Sequence, residues 1–83
     1  MRHTVQLPQL GETSQAVVIL RWLVEVGEEV SSDQPVAEVE TDKVEVEVTA
    51  TTSGILVERL VSIDDEVLPG TGLFIIEDGF GDE

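Results

Sequence analysis

Cysteine and tyrosine are absent from this sequence. Lysine, histidine, methionine and tryptophan occur once each, and only four of the 83 residues are lysine or arginine. Without cysteine the chain can form neither a disulfide staple nor a thiolate metal site, and it is compatible with a reducing compartment. Four basic residues against 18 acidic ones leave a net charge of −14. That balance argues against a nucleic acid or an anionic membrane as partner, because both are bound through clustered cations. It favours solubility and a partner with a basic docking surface, associating in a salt-sensitive way. No apolar run reaches membrane-spanning length, and "MRHTVQL" lacks the apolar core of a signal peptide. Ser, His and Asp all occur, but no nucleophile motif surrounds them, and the carboxylates are too many to single out an acid–base pair. The acidic turns at Glu28-Glu29 and Asp64-Asp65-Glu66 do not have the spacing of a calcium loop.

What the sequence does contain is β structure. Valine and isoleucine are abundant, the apolar fraction is 41%, and turn residues recur at short intervals. The pattern predicts strands near 3–7, 16–25, 29–31, 36–41, 44–50, 54–61, 66–68 and 73–77, an all-β fold. No window has helical periodicity. An internal repeat supports this. "RWLVEVGEEVSSDQPVAEVE" (21–40) aligns with "ERLVSIDDEVLPGTGLFIIE" (58–77) at an offset of 37 residues. Leu23, Val24, Glu29, Val30 and Glu40 match Leu60, Val61, Glu66, Val67 and Glu77. One half cannot bury its apolar face alone, so two halves related by a pseudo-twofold should cover each other as a flattened sandwich. The same offset puts the counterparts of Asp42-Lys43 at 5–6 and 79–80, near the chain ends. The turn carrying Lys43 should then lie opposite the termini. The Gly- and acid-rich end reads as a linker, giving a domain over 1–79 and a linker start at 80–83.

The stretch "VAEVETDKVEVEV" (36–48) holds the only lysine. Pairing Thr41 with Val44 across Asp42-Lys43 sets Val39 opposite Val46 and Ala37 opposite Val48, with the apolar residues on one face. Glu40 then faces Glu45, and Glu38 faces Glu47, on the outside. Like charges directly opposed weaken a sheet, so a purely structural design would have put a lysine there. Asp-Lys suits a type I turn, with the lysine on its tip. Acidic neighbours keep an ammonium charged, which disfavours Lys43 as a general base or Schiff-base former and favours its presentation to another protein.

Together "ETDKV" (40–44), "LPQLGET" (7–13) and "RWLVEVGEEV" (21–30) resemble the lipoyl domains of 2-oxo acid dehydrogenase acyltransferase components, over about residues 3 to 78. The resemblance implies a flattened barrel of two four-stranded antiparallel sheets with quasi-twofold symmetry. It implies lipoic acid in amide linkage to Lys43, and partners in a thiamine-dependent 2-oxo acid decarboxylase, a dihydrolipoamide dehydrogenase and a lipoate ligase or lipoyl transferase. The domain itself would be a monomeric, non-catalytic carrier, with acyltransferase activity elsewhere in a parent chain. Asp42 and Val44 would guide the ligase. Glu40, Thr41 and Glu45 would belong to the recognition surface, with Leu10, Gly11, Glu12 and Thr13 in a loop read by the decarboxylase. Trp22 and the valines are expected in the core. The family commonly has glycine where this chain has Val17, which leaves the carry-over for Ser14 to Ala16 open. A biotinyl carrier is the nearest alternative, although that family places Met on both sides of its lysine. An unmodified β interaction module is another. A start at Met1 directly on the domain suggests a bacterial cytoplasm, with the mitochondrial matrix as the alternative. The 2-oxo acid is not specified.

Overall fold

The computed structural model describes residues 1–8, 16–41 and 44–79, and within them every regular element is a strand. In chain order these are β1 (Arg2–Gln6), β2 (Val17–Trp22), β3 (Glu29–Val30), β4 (Pro35–Glu40), β5 (Glu45–Thr49), β6 (Gly54–Arg59), β7 (Glu66–Val67) and β8 (Gly72–Glu77). They form two four-stranded antiparallel sheets, ordered β1-β8-β6-β3 and β5-β4-β2-β7. All eight expected strands are present. The first long one stops at Trp22, not near 25, because the chain turns there and the Leu23 N–H bonds to the Val36 carbonyl at 2.7 Å.

The repeat is carried into the fold residue by residue. β6, β7 and β8 begin and end 37 positions after β2, β3 and β4. Even the irregularities recur. Val36 is skipped in the β4–β5 ladder and Leu73 in the β8–β1 ladder. Leu20 is skipped between β2 and β4, and Val57 between β6 and β8. A bulge adds one residue on one strand and turns the following side chains to the other face. That is why Val36 and Ala37 are both buried, as are Leu73 and Phe74, where strict alternation would expose one of each pair.

Four tight turns among the described residues follow the same rule. Glu25–Glu28 and Ser62–Asp65 correspond, as do Ser31–Gln34 and Leu68–Thr71. In each, the fourth residue's N–H donates to the first residue's carbonyl, and its side chain accepts from the first residue's N–H. Each also has one left-handed residue: Gly27 (φ 98°), Asp64 (φ 75°), Asp33 (φ 72°) and Gly70 (φ 93°). Each half thus uses one glycine and one aspartate, the two kinds of residue that tolerate this region best.

Between the sheets lies one apolar core, including Val5, Leu7, Ile19, Val36, Val39, Leu56, Leu73, Phe74 and Ile76. Complete burial of side chains this size stabilises by roughly 1.5–3 kcal/mol each against exposure. Strict symmetry is broken where the halves meet. Trp22 sits opposite Ala37, whereas their counterparts Arg59 and Phe74 oppose each other with the larger residue on the other strand. The Trp22 ring meets Phe74 edge-on at 6.0 Å, and the Arg59 guanidinium lies 5.0 Å from the Trp22 ring centre. Arg59 also donates to the Val24 carbonyl at 2.7 Å. Two copies of one side chain would compete for this space, and the unequal pairs fill it instead. Trp22 is half-buried against the core, as expected of it.

One expectation about the repeat needs correction. Residues 5–6 are not the counterpart of 42–43; they lie inside β1, paired with Phe74 and Gly72. The first strand belongs structurally to the second half. It sits beside β8 as β5 sits beside β4, so Val5 and Leu7 occupy the places of Val48 and Ala50, all four buried. The offset for this strand is therefore 43, because a hairpin turn stands in one half where the other half has the chain ends.

Candidate functional site

The β4–β5 hairpin has the register read from its sequence. Ala37 pairs with Val48, Glu38 with Glu47, Val39 with Val46 and Glu40 with Glu45. Alternation fixes this choice, since a slip of one residue would turn the glutamates inward. Burial fades toward the tip: Val39 and Val48 are buried, Val46 is half-buried, and Val44 is 58% exposed. Beyond Glu40 and Glu45 the strands close through Thr41 and Val44. The Thr41 N–H donates to the Val44 carbonyl at 2.8 Å. The Thr41 hydroxyl donates to that carbonyl and accepts the Val44 N–H, both at 3.0 Å.

Asp42 and Lys43, with the expected type I turn, lie outside the described residues. So do Leu10, Gly11, Glu12, Thr13 and Ser14 in the expected recognition loop, and the linker at 80–83. The structure brings together Glu40, Thr41, Val44 and Glu45, the four residues that bracket positions 42 and 43. Ala16, at the end of that loop, is exposed, and Val17 is buried in β2 opposite Val67. The counterpart of Val17 is Gly54, where a Cβ would collide with the Glu77 carbonyl oxygen and come within 2.7 Å of Ile76 Cγ2. The two halves thus differ in how tightly the strands approach at this point.

The opposite end of the molecule is an internal control for the hairpin. There the Asp78 N–H donates to the Met1 carbonyl at 2.9 Å, the same closure that Thr41 and Val44 make. The residues standing where Glu40 and Glu45 stand are Glu77 and Arg2, a salt bridge of 3.0 Å. Glu77 Oε2 also holds the Met1 ammonium at 3.0 Å, and Asp78 Oδ2 lies 2.6 Å from His3 Nε2. The hydrogen bond from the Met1 ammonium, followed by that from Arg2, lowers the Glu77 carboxyl below its ordinary range. The hydrogen bond from His3 does the same for Asp78. One position in one fold is therefore an ion pair at one end and a like-charge pair at the other. The ladder does not require acid at both 40 and 45, since an oppositely charged pair fits the same place.

Sequence reading missed one neighbour of the hairpin. Arg21 on β2 reaches across to Glu38, with Nε 2.8 Å from Oε1. This cation offsets part of the repulsion between Glu38 and Glu47. The signal available was a lone arginine among acids in an exposed strand position, but it could be used only once β2 was known to lie beside β4. Glu40, Glu45 and Glu47 remain exposed on the outer face. Among the described residues no group of three or more His, Cys, Asp or Glu side chains is arranged to hold a metal.

The profile of a family described as biotin-requiring enzyme, covering biotin and lipoyl attachment domains, matches residues 3–76. The dihydrolipoyllysine-residue acetyltransferase component of the pyruvate dehydrogenase complex from Corynebacterium glutamicum is 38% identical over 94% of the chain, which spans 12% of that protein. The succinyltransferase component of the 2-oxoglutarate dehydrogenase complex from Staphylococcus saprophyticus is 36% identical over 93% of the chain, which spans 18% of it. The lipoyl domain of the 2-oxoglutarate dehydrogenase complex from Azotobacter vinelandii superposes with a TM-score of 0.68 at 27% identity, covering 90% of this chain and 98% of that domain. Urea carboxylase of Kluyveromyces lactis superposes with a TM-score of 0.79 over 93% of this chain and 6% of its own. At 22% identity that likeness shows the fold alone.

Proposed function

The chain belongs to the biotin/lipoyl attachment family, and on that premise we propose that it is a lipoyl carrier domain with Lys43 as the attachment residue. The observation that carries this reading is the closed pair Thr41–Val44. The only lysine of the sequence lies between two residues whose strands end there, at the far end from the termini. The residues present fit such a group. Attachment needs one amine and room around it, and the flanking Val44, Glu40 and Glu45 are exposed. The family also includes biotin carriers, but the neighbours of Lys43 are Asp42 and Val44, and the named acyltransferase relatives favour lipoate over biotin.

When bound, the lipoyl group supplies a dithiolane that accepts an acyl group and two electrons. The protein's part is to close the strands on either side of positions 42 and 43 and to mark their surroundings. Glu40, Glu45 and Glu47 form a negative outer face suited to basic docking surfaces on a thiamine-dependent decarboxylase and on a dihydrolipoamide dehydrogenase, with Glu38 held beside them by Arg21. Asp42, Val44 and Thr41 would be read by the ligase or transferase, and Leu10 to Thr13 by the decarboxylase. The chain spans less than a fifth of the acyltransferase components it matches. Acyl transfer is therefore assigned to a catalytic region elsewhere in a parent protein, with residues 80–83 starting the linker and the bacterial cytoplasm as its location. Tethering would raise the effective concentration of the arm at each active site.

Incubation of the chain with lipoate ligase, ATP and lipoate, followed by mass spectrometry, tests the assignment. A single lipoyl increment on Lys43, absent in Lys43→Arg, is expected. A biotin increment with biotin ligase, or no increment with either, refutes it.

A further inference from the structure

Thr41 has a role that its surface position does not suggest. Its hydroxyl bonds to both backbone polar groups of Val44, at 3.0 Å each, in addition to the backbone bond of 2.8 Å between the same two residues. Among the described residues, three hydrogen bonds thus join Thr41 to Val44 on either side of the two positions between them. At the other end of the molecule the corresponding side chain is Asp78, whose Oδ1 lies 3.3 Å from the Met1 nitrogen. There a carboxylate joins two chain ends that no covalent link connects, beside the Asp78–Met1 backbone bond and the Glu77 ion pairs. The hairpin is already joined covalently, so the side-chain bridge at Thr41 is not needed to keep the strands adjacent. It is also built from a neutral group, although Glu40 and Glu45 on either side are exposed acids.

We infer that Thr41 is a positioning residue for acceptor Lys43, a clamp that holds the neck of the turn in the form the ligase recognises. This rests on the carrier reading above. A hydroxyl suits the task because the lysine amine must act as a nucleophile. In the attachment step the Nζ–carbonyl carbon bond forms and the bond from that carbon to its activating adenylate breaks. Two of the three ammonium protons are released as the ammonium becomes an amide nitrogen. A carboxylate at 41 could accept the Val44 N–H but could not donate to the Val44 carbonyl, and it would add a charge that stabilises the ammonium and opposes its deprotonation. A hydroxyl makes both bonds to Val44 and adds no charge beside the acceptor position.

The test compares wild type, Thr41→Val and Thr41→Ser with purified lipoate ligase, ATP and lipoate. Valine keeps the β-branched shape without the oxygen, and serine keeps the oxygen. An opened neck lowers the fraction of domain in the competent form, which raises the apparent KM for the domain without changing kcat. Thr41→Val removes both side-chain bonds to Val44, and at about 0.5 kcal/mol or more net for each exposed bond it should raise KM by at least about fivefold. Thr41→Ser should stay within about twofold of wild type by the same measure. Amide exchange at Val44 should quicken in the valine variant and not in the serine variant. Equal KM values in valine and wild-type domains, a serine variant as poor as the valine one, or unchanged Val44 exchange would each overturn the clamp. If wild type itself takes no lipoyl group, the carrier reading fails and the inference fails with it.

Discussion

Converting the hairpin end into a copy of the terminal end should make the domain more stable and a worse carrier. Glu45→Arg places an arginine opposite Glu40, as Arg2 stands opposite Glu77. The substitution removes a like-charge pair and creates an opposite-charge pair on exposed neighbouring strands. Cross-strand pairs contribute roughly 0.2–1 kcal/mol each, and exposure puts both terms toward the low end. The sum is about 0.5–1 kcal/mol, or roughly 2–8 °C in the midpoint of a domain this size. Glu45→Gln, which removes repulsion without adding attraction, should give about half of that. Thermal and urea denaturation in low salt measure both. In about 1 M salt the Debye length falls to about 3 Å, and most of the difference should disappear. Reductive acylation by a decarboxylase should fall in the arginine variant. The reasoning is wrong if Glu45→Arg is no more stable than wild type in low salt, or if the gain persists unchanged in high salt.

Two glycine positions separate strain from collision. Gly27→Ala, at φ 98° with nothing within 4 Å of the new Cβ, should cost about 1–2 kcal/mol through conformation alone. Gly54→Ala should cost more, because its Cβ meets the Glu77 carbonyl and Ile76; urea midpoints that rank the two the other way would refute this. The lowered carboxyls at the terminal end give a signed pH effect. A carboxyl whose pKa is lower when folded contributes stability above its ordinary value of 3.8 (Asp78) or 4.5 (Glu77), and that contribution is lost as pH falls through the lowered folded value. Urea midpoints followed from about pH 6 to about pH 3 should drop more steeply for wild type than for Asp78→Asn, and parallel curves would count against the His3–Asp78 contact.

The hairpin register was legible because two constraints agree there: apolar residues and glutamates alternate without interruption from Ala37 to Val48 except at the turn. The existence of two matched halves was legible for a similar reason, since their turns fall at one spacing. The bulges were not legible. A skipped residue such as Val36 or Leu20 looks in sequence like any other valine or leucine, and only the partner strand reveals that it has no opposite number. The place of β1 was hidden by the same locality. Its offset differs from that of the other strands because it completes the half that lies farthest from it in sequence. The Arg21–Glu38 contact depends on strand order, which alternation along one strand does not encode.

Because Asp78 and Met1 close in the manner of Thr41 and Val44, the end where the chain is cut and the end where it is continuous share one backbone closure. A circular permutant opened between Asp42 and Lys43, with residues 78 and 1 joined through two added residues, keeps every strand pairing described above. If that added link were Asp-Lys, a lysine would stand beside the Glu77–Arg2 ion pair where Lys43 has the like-charged Glu40 and Glu45. Such a rearranged molecule would separate two things that coincide in the natural chain: the shape that presents a lysine and the charge that surrounds it.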